Sequence, residues 1–425
     1  MVTGKGRTDK PLSEREIVRM WENYCQSHNF SGKKILAVIP DTTRSGPTAF
    51  FFKMLCETLA VRAEKLAFLV ALGTHPPLNH QRLATHLNTE AVDKKLLQKV
   101  EIFQHQWDDP DQLTHIGIIT AKEMKEISSG LLEEDTPVTI NKLVTDYQVI
   151  LLVGPVFPHE VVGFSGGYKY LFPGISGPDF LHRFHWLGAL ITNPKINGTK
   201  DTPVRKALNR AASFLSQPIH QLCYVVKEKK LYGFFAGDNQ AWEQAAELSG
   251  QLNICYVEKS YHTVLSCAPA MYEDIWTAGK CMYKLEPVVA DNGTLIIYAP
   301  HISEISHTHG ALIKKVGYHT RDYFLKQWSK FKDIPGCILA HSTHVKGIGT
   351  YKNGVEKPRI EVVLATSIPE KICQEINLGY RDPREINPQE YKDREKEGIL
   401  LVPQAGETLF RLADGTVPDI DYLQE

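Results

Sequence analysis

A buried-strand pattern that runs into a glycine-rich segment with a lysine is the feature that most constrains this chain. Residues 149–154 read Val-Ile-Leu-Leu-Val-Gly, an apolar run that predicts a buried strand. Residues 158–174 then supply a histidine, a Ser-Gly-Gly turn, a lysine and a Pro-Gly turn. Glycines let backbone N–H groups approach a ligand closely, and a lysine beyond them can meet a phosphate or carry a covalent cofactor. The segment is therefore a candidate ligand site at the end of a strand.

The same segment also has a purely structural interpretation. A Ser-Gly-Gly triplet is more often only a turn, and a lysine after two glycines is usually a solvated surface charge. The glycine spacing matches neither the Rossmann fingerprint nor the Walker A loop. The functional interpretation therefore depends on the rest of the chain.

Composition narrows the class of protein. The 425 residues suit two or three domains, and 43% hydrophobic with 23% charged residues is ordinary for a globular protein. With a formal net charge of −1, the chain has no excess positive charge to attract nucleic acid or an anionic membrane. The eight cysteines contain no C-x-x-C pair, the first ten residues are polar and basic, and no run is long enough to span a membrane. We therefore expect a cytoplasmic protein without nucleic-acid or membrane partners.

Strands and helices alternate along the first half of the chain. Ser13 and Glu16 form a capping-box pattern that predicts the start of a helix. Apolar runs at 34–39, 66–72 and 100–103 predict strands that precede the one at 149–154. This alternation predicts an α/β fold with a mainly parallel sheet whose loops converge on one edge.

Polar side chains follow two of these strands. Asp41 and Arg44 come after 34–39, and His75 comes after 66–72. Open α/β sheets bind ligands at the carboxyl ends of their strands, so these three residues are candidates for a site. The alternative is an Asp that caps the next helix, a surface Arg and an incidental loop His.

The second half alternates in the same way. We place the division near residue 258, with an N-terminal α/β domain at 1–258 and a C-terminal α/β domain at 259–425. A predicted helix at 272–283 places Thr277 and Lys280 one turn apart on one face. The strands predicted in the second domain are 262–267, 294–298, 337–341, 360–365 and 399–402.

Several histidines of the second half have open roles. They are His301, His307, His309, His341 and His344. Imidazoles are common zinc ligands, but no carboxylate or cysteine pattern joins these into a recognisable zinc site.

Taken together, the motifs resemble the nickel-pincer-nucleotide-dependent lactate racemase family. The matching motifs are Asp41-Thr42-Thr43-Arg44, residues 71–75, residues 159–174 with their Gly-Phe-Ser-Gly-Gly-x-Lys core, and His185. The resemblance covers most of the chain. It implies two α/β domains with mainly parallel sheets and an active-site cleft between them.

The resemblance also implies the cofactor and its ligands. The cofactor would be a nickel pincer nucleotide (a pyridinium-3-thioamide-5-thiocarboxylic acid mononucleotide with nickel) attached covalently to Lys169. His185 matches the protein ligand to nickel, and imidazole is a good nickel ligand. Asp41 matches a cofactor-contacting aspartate. Ser165, Gly166 and Gly167 would lie by the cofactor, with backbone donors towards its phosphate.

The implied chemistry is racemisation or epimerisation of a 2-hydroxy acid. His75 and His159 match two acid–base histidines, while Arg44 and Lys280 match residues that hold the substrate carboxylate. The α-hydrogen of a 2-hydroxy acid is poorly acidic, so it leaves more easily as hydride while a base takes the hydroxyl proton. The flat 2-keto acid that results can receive the hydride on either face.

The substrate side departs from the family pattern. Lactate-acting members carry a glutamine where this chain has Thr277, and residues 301–309 form an unusual loop. A shorter side chain enlarges the pocket, so we expect a substrate larger or more polar than lactate, such as a sugar acid or a longer 2-hydroxy acid.

Two other functions remain open from the sequence. One is a zinc-dependent lyase or hydrolase that uses the same histidines. The other is a non-catalytic nucleotide-binding protein in which Lys169 only meets a phosphate. The expected partner is a small-molecule substrate, with cofactor-biosynthesis proteins as possible further partners; the oligomeric state is left open.

Overall fold

The computed structural model describes residues 2–419 as a mixed α/β protein with mostly parallel sheets. The chain clusters into two compact units. Residues 2–157, 164–181 and 203–252 form the first unit, and residues 158–163, 182–202 and 253–419 form the second. The predicted division after residue 258, and the cleft that the resemblance implies, stay predictions.

The strands have the following bounds. They are β1 (Thr3–Gly6), β2 (Lys34–Pro40), β3 (Lys65–Ala71), β4 (Val100–Gln104), β5 (Leu113–Ile119), β6 (Thr136–Asn141), β7 (Val149–Pro155), β8 (Pro158–His159), β9 (Gly163–Phe164), β10 (Ile219–Lys227), β11 (Lys230–Gly237), β12 (Ile254–Val257), β13 (Tyr261–Cys267), β14 (Val289–Ala299), β15 (Gly349–Lys352), β16 (Val355–Pro358), β17 (Glu361–Thr366), β18 (Gly379–Tyr380), β19 (Ile399–Val402) and β20 (Leu409–Leu412).

The α-helices lie between and beyond these strands. They are α1 (Glu14–Ser27), α2 (Thr48–Leu59), α3 (His80–Leu87), α4 (Lys94–Leu97), α5 (Ala121–Ile127), α6 (Leu143–Asp146), α7 (Pro178–Ile191), α8 (Asn193–Ile196), α9 (Pro203–Ala212), α10 (Asn239–Asn253), α11 (Ile275–Ala278), α12 (Lys280–Tyr283), α13 (Gly310–Val316), α14 (Arg321–Leu325), α15 (Trp328–Phe331), α16 (Gly336–Lys346) and α17 (Glu370–Glu375).

A seven-stranded sheet forms the centre of the first unit, in the order β1-β11-β10-β7-β2-β3-β4. Strands β10, β7, β2, β3 and β4 are parallel, while β11 and β1 add an antiparallel edge. The strands predicted at 34–39, 66–72, 100–103 and 149–154 are confirmed. Their apolar runs are long because helices cover both faces of a parallel sheet.

The strand order reverses direction between β2 and β7. From β2 the chain continues to β3 and β4 on one side, and β7 leads to β10 on the other. Loops at the carboxyl ends of two such strands diverge and leave a crevice for ligands. The segments at the ends of these two strands are those that the sequence singled out.

The first helix is fixed by the capping box that the sequence predicts. The Ser13 hydroxyl accepts a hydrogen bond from the Glu16 backbone N–H, and the Glu16 carboxylate accepts one from Ser13 N at 2.9 Å. Ile17, Trp21 and Tyr24 face inward from this helix and join the core of the first unit. Local capping and one-sided apolar spacing therefore agree, which is why this element is predictable.

A fully parallel five-stranded sheet forms the centre of the second unit, in the order β18-β17-β14-β13-β19. The strands predicted at 262–267, 294–298, 360–365 and 399–402 are confirmed. Two smaller pairs, β12 with β20 and β15 with β16, also belong to this unit, as does the short strand β8.

The strand predicted at 337–341 is wrong. These residues lie in α16, where every residue from Cys337 to Val345 is buried. A helix buried on all sides shows no one-sided apolar spacing, and a short apolar run then cannot be told from a strand.

The helix predicted at 272–283 is present as two short helices, α11 and α12, on either side of Gly279. The Asp274 side chain caps the first of them by accepting a hydrogen bond from Thr277 N at 2.9 Å. Across residues 2–419, the structure contains no helix with the length and apolar character needed to cross a membrane.

Candidate active site

The ends of β2 and β3 place an aspartate against a histidine. Pro40 and Ala71, the last residues of these strands, are paired in register, so the loops that follow leave the sheet side by side. Asp41 Oδ2 lies 2.5 Å from His75 Nδ1. Asp41 Oδ1 accepts hydrogen bonds from Thr43 N at 3.1 Å and from Thr43 Oγ1 at 2.7 Å. The structure thus brings Asp41 and His75 together, as strand-end placement predicts.

The charge state of Asp41 decides what His75 can do. Burial by itself raises the pKa of the Asp41 carboxyl, but attraction to His75, hydrogen bonds from His75 and Thr43, and the nearby Arg44 outweigh it and lower the pKa. An ionised carboxylate only accepts hydrogen bonds, so the Nδ1 of His75 carries the proton. The Nε2 of a neutral His75 then has a lone pair available as a base.

Tyr170 joins this group, although the sequence did not single it out. Arg44 and Asp41 both act electrostatically on its hydroxyl, and burial raises the pKa of Tyr170 well above the ordinary value. Gly154 makes room for this ring: a Cβ built there would lie 2.0 Å from the Tyr170 hydroxyl oxygen. The available signal was the glycine at the end of an otherwise bulky strand.

The Ser-Gly-Gly turn forms a close-packed cradle. Ser165 is buried, and its hydroxyl accepts from Phe157 N at 2.9 Å, so this side chain fixes the turn. Gly166 and Gly167 have φ of 79° and 59°, in the left-handed region that favours glycine. A Cβ would lie 2.6 Å from Val156 at Gly166 and 2.7 Å from Gln221 at Gly167. Only glycines fit here, because both residues are buried against neighbouring protein atoms.

Lys169 lies directly beyond this cradle. It belongs to a 3-10 turn over Gly167–Tyr170, and its side chain is half-buried. Its N–H donates to Gly166 O at 3.3 Å, and its carbonyl accepts from Gly174 N at 3.2 Å. Gly174 in turn accepts at its own carbonyl from Gly73 N at 3.0 Å. The lysine segment is therefore tied to the loop that carries His75.

Two residues that the sequence analysis did not identify hold the backbone at the start of the cradle. The Trp242 indole N–H donates to Ser165 O at 2.8 Å. The buried Arg205 guanidinium donates to Phe164 O and lies 4.0 Å from the Trp242 ring centroid. Burial lowers the pKa of Arg205 to about 9. No local pattern marks these contacts, because both partners lie far along the chain from the turn.

His159 belongs to the second unit and is buried. Its Nδ1 accepts a hydrogen bond from Val161 N at 3.1 Å. The Oε2 of Glu160 lies 3.4 Å from the same nitrogen. A neutral His159 with Nδ1 as acceptor carries its proton on Nε2, the reverse of His75.

His185 lies on α7 and is also part of the second unit. Its ring packs edge-on against Phe184, with 5.0 Å between centroids. Burial lowers the pKa of His341 well below the ordinary value, and His344, His309 and His185 lower it further. His185 is thus electrostatically coupled to histidines whose roles the sequence left open.

His341 is held on both ring nitrogens. Tyr283 Oη lies 2.8 Å from its Nδ1, and Tyr318 Oη lies 3.2 Å from its Nε2. On α16, His341 and His344 are buried, and burial lowers the pKa of His344 to about 4. Within residues 2–419, no group of three or more His, Cys, Asp or Glu side chains is placed to hold a metal ion.

Thr277 and Lys280 lie on the short helices of the second unit. Thr277 is buried, whereas Lys280 is half-buried with its Nζ 4.8 Å from the Tyr272 ring centroid. Their roles in substrate binding stay predictions. The residues that the structure brings together in the first unit are Asp41, Arg44, His75 and Tyr170.

Comparisons with known proteins identify the family. A domain described as the lactate racemase N-terminal domain matches residues 14–197. A crystal structure of a Thermotoga maritima protein is 31% identical, covers 96% of this chain and 100% of that chain, and superposes with a TM-score of 0.87. The lactate racemase of Lactiplantibacillus plantarum is 25% identical over 303 residues. The chain belongs to the lactate racemase-like family.

Further comparisons show how much of the chain is similar to lactate racemases. The lactate racemase of Thermoanaerobacterium thermosaccharolyticum is 23% identical over 311 residues, which is 70% of this chain and 68% of that relative. The match to the L. plantarum protein spans 68% of this chain and 66% of the relative, just under two thirds of its length. The apoprotein structure of the T. thermosaccharolyticum enzyme is 18% identical, covers 94% of this chain and 93% of that one, and has a TM-score of 0.70, which shows the shared fold.

Proposed function

We propose that this lactate racemase-like chain is a racemase or epimerase of 2-hydroxy acids. The observation that carries the proposal is the Asp41–His75 pair at the carboxyl ends of β2 and β3. An imidazole held by an ionised carboxylate at the edge of a parallel sheet is a general base in position to act on a small ligand.

The residues around the glycine cradle fit a covalently held nickel pincer nucleotide. The cradle at Gly166 and Gly167 has no room for a side chain, and the half-buried Lys169 follows it immediately. Lys169 would hold the organic group covalently, the glycine backbone would face its phosphate, and Asp41 would contact it. Bound in this way, the group would accept the α-hydrogen of the substrate as hydride and return it to either face.

His185 is the proposed protein ligand to the nickel. Sulfur and carbon donors would come from the organic group, so one imidazole from the protein would complete the donor set of the nickel. A zinc lyase or hydrolase would instead need about three ligands from the protein. The number of metal ligands that the protein supplies therefore distinguishes the nickel racemase from the zinc lyase or hydrolase.

His75 is proposed to take the hydroxyl proton of one enantiomer at its Nε2. The Asp41 carboxylate orients the ring through Nδ1–H and stabilises the imidazolium that forms. His159 is proposed to act as the matching acid in its imidazolium form, which gives one proton to the keto oxygen and returns to the neutral ring. With the opposite enantiomer the roles exchange, and Glu160 at 3.4 Å from Nδ1 supports the protonated ring of His159.

Cationic side chains are proposed to bind the substrate carboxylate. The Arg44 guanidinium is half-buried and offers a planar pair of donors to a carboxylate. On the second unit, Lys280 is proposed as a further cation for the substrate. We also keep the proposal that Thr277 selects a substrate larger or more polar than lactate.

A cytoplasmic location is part of the proposal. All eight cysteines fall within the part of the chain that the structure describes, and none forms a disulfide. Five of them are buried, and free thiols suit a reducing compartment.

Metal analysis combined with intact-mass spectrometry tests the function. The protein should be produced in a host that also makes the cofactor, and peptide mapping should locate any adduct. Nickel with an adduct on Lys169, together with racemisation of a 2-hydroxy acid, supports the proposal. Zinc without an adduct supports the lyase or hydrolase, and nucleotide binding with neither metal supports the non-catalytic alternative.

A further inference from the structure

His341 contacts both ends of the segment at 276–283, which carries two of the residues proposed to bind the substrate. The ring of His341 packs on the indole of Trp276, with 4.3 Å between the centroids. Its Nδ1 lies 2.8 Å from the hydroxyl oxygen of Tyr283, at the other end of the segment. His341 itself is buried on α16, so the segment rests on a side chain that the protein interior holds.

A glycine within this segment lies between the two proposed substrate residues, Thr277 and Lys280. Gly279 separates α11 from α12, and a Cβ built on it would overlap the hydroxyl oxygen of Tyr283. The same Cβ would lie 3.0 Å from Cγ2 of Val345 on α16. The Tyr283 hydroxyl and α16 therefore pack directly on the backbone between the two residues.

The second nitrogen of His341 is held as well. Its Nε2 lies 3.2 Å from the hydroxyl oxygen of Tyr318. Burial and three neighbouring histidines lower the pKa of His341 well below the ordinary value, so the ring is neutral. A neutral imidazole has one N–H and one lone pair, and each can pair with a tyrosine hydroxyl. The ring therefore cannot rotate without leaving buried polar groups unpaired.

We propose that His341 is a positioning residue, which acts through Trp276 and Tyr283 to hold the 276–283 segment in place for substrate binding. This inference rests on the proposed racemase function. His341 fixes the side chains at both ends of the segment, and hence the direction in which Lys280 leaves it. Displacing a cation that binds the substrate carboxylate weakens substrate binding more than it slows the chemistry, so we expect the effect in KM.

Steady-state racemisation by the cofactor-loaded enzyme, with lactate, malate and 3-phenyllactate as substrates, tests this role. His341→Phe keeps a ring beside Trp276 but loses both hydrogen bonds, whereas Tyr283→Phe loses only its hydroxyl. For each acid that the parent racemises, KM should rise roughly tenfold in His341→Phe and roughly fivefold in Tyr283→Phe, with kcat within about threefold of the parent. Tyr283→Phe carries the test alone if His341→Phe does not fold.

Two further variants show whether the hydrogen bond between these side chains is the cause. The double variant should have the KM of His341→Phe, because the two side chains act through one contact. His341→Gln should recover part of the parent KM, since its amide can both donate and accept. If the KM increase of the double variant is the product of the two single increases, the side chains act independently and the proposal is overturned.

Ser342→Ala is the matched control. Ser342 follows His341 on α16, is also buried, and donates to Gly317 O at 2.8 Å, outside the 276–283 segment. Its loss should lower the temperature of unfolding and leave KM at the parent value. A KM increase in Ser342→Ala equal to that in His341→Phe would indicate a general loosening of α16 and would contradict the positioning role.

A measurement on Lys280 itself separates this inference from the proposed function. Lys280 Nζ lies 4.8 Å from the Tyr272 ring centroid, so the ring current shifts the NMR signal of the lysine ε-methylene. In protein isotopically labelled at the lysine ε-carbon, Lys280→Arg assigns this signal, and His341→Phe and Tyr283→Phe should both move it. If the parent racemises no 2-hydroxy acid, the racemase assignment fails, while a moved signal still supports the positioning role. An unmoved signal in both variants overturns that role, and so does a roughly 10²-fold loss of kcat at unchanged KM.

Discussion

Asp41 Oδ2 lies 2.5 Å from His75 Nδ1, although 34 residues separate them along the chain. The contact exists because β2 and β3 are neighbouring parallel strands that end in register. It fixes the proton of His75 on Nδ1 and leaves Nε2 as the basic nitrogen. The roles predicted for Asp41, His75 and His159 depend on this pair and on the contrasting hydrogen bond of His159.

Asp41→Asn should lower kcat by about 10²-fold. An amide is neutral, so it neither stabilises the imidazolium nor fixes the tautomer of His75. Chiral chromatography measures the rate, and intact mass checks that the cofactor is still attached. A variant that keeps parent turnover with full loading would show that the carboxylate does not assist His75.

His75→Ala and His159→Ala should each lower steady-state turnover by roughly 10²–10⁴-fold in both directions. Each enantiomer needs one histidine as base and the other as acid, so either loss blocks the full cycle. A single-turnover assay should still show one half-reaction in each variant. His115→Ala, at an exposed histidine, is the control. Racemisation at the parent rate by either test variant would disprove the two-histidine assignment.

Lys169→Ala should abolish covalent attachment, whereas His185→Ala should lower nickel retention with the organic group still attached. An amine forms the covalent link, while an imidazole supplies only a metal ligand. Intact mass and metal content measure the two effects separately. Lys169→Arg keeps the charge and should still lack the adduct. Full nickel occupancy and activity in His185→Ala would remove that residue from the metal site.

The stability of the first unit should fall as the pH drops from 6.5 towards 4. Burial lowers the pKa of His105 from 6.5 to about 4, and a hydrogen bond to Ser176 O only partly offsets this. The unfolded chain takes up the proton first, so the stabilisation is present above pH 6.5 and is lost as the pH falls through this window.

His105→Gln should flatten that dependence by about 2 kcal/mol between pH 7 and about 4.5. Denaturant unfolding at several pH values measures the slope. His115→Gln, at an exposed histidine, should leave it unchanged. If His105→Gln has the parent slope, another group causes the acid sensitivity of this unit.

Much of the fold follows from local sequence, but several site contacts do not. The strands before Asp41 and His75 are continuous apolar runs, which the sequence alone predicts. The capping box of Ser13 and Glu16 likewise predicts where the first helix begins. The strand prediction at 337–341 is wrong because α16 is buried on all sides. Its apolar residues therefore do not repeat with the 3.6-residue spacing that identifies a helix in a sequence.

The remaining contacts join residues that are far apart along the chain. Gly154 lies within β7, and only the structure shows that the Tyr170 hydroxyl packs against it. The tautomers of His75 and His159 each depend on one hydrogen bond, which Asp41 accepts from His75 and which Val161 N donates to His159. Residue type alone assigns both histidines the same role, and only the structure separates them.

Thr277 carries the last prediction, which concerns the substrate. Its side chain is shorter than the glutamine that the family resemblance implies for lactate-acting members, and it offers one hydroxyl where an amide has two donors. We expect chiral analysis of the loaded enzyme to show a higher kcat/KM for malate, an aryl-lactate or an aldonic acid than for lactate. Thr277→Gln should shift this preference towards lactate by about tenfold, since the amide fills the added space. Thr277→Val keeps the shape without the hydroxyl and should retain the parent preference for larger substrates. If lactate has the highest kcat/KM of the panel in the parent enzyme, the inference from Thr277 fails.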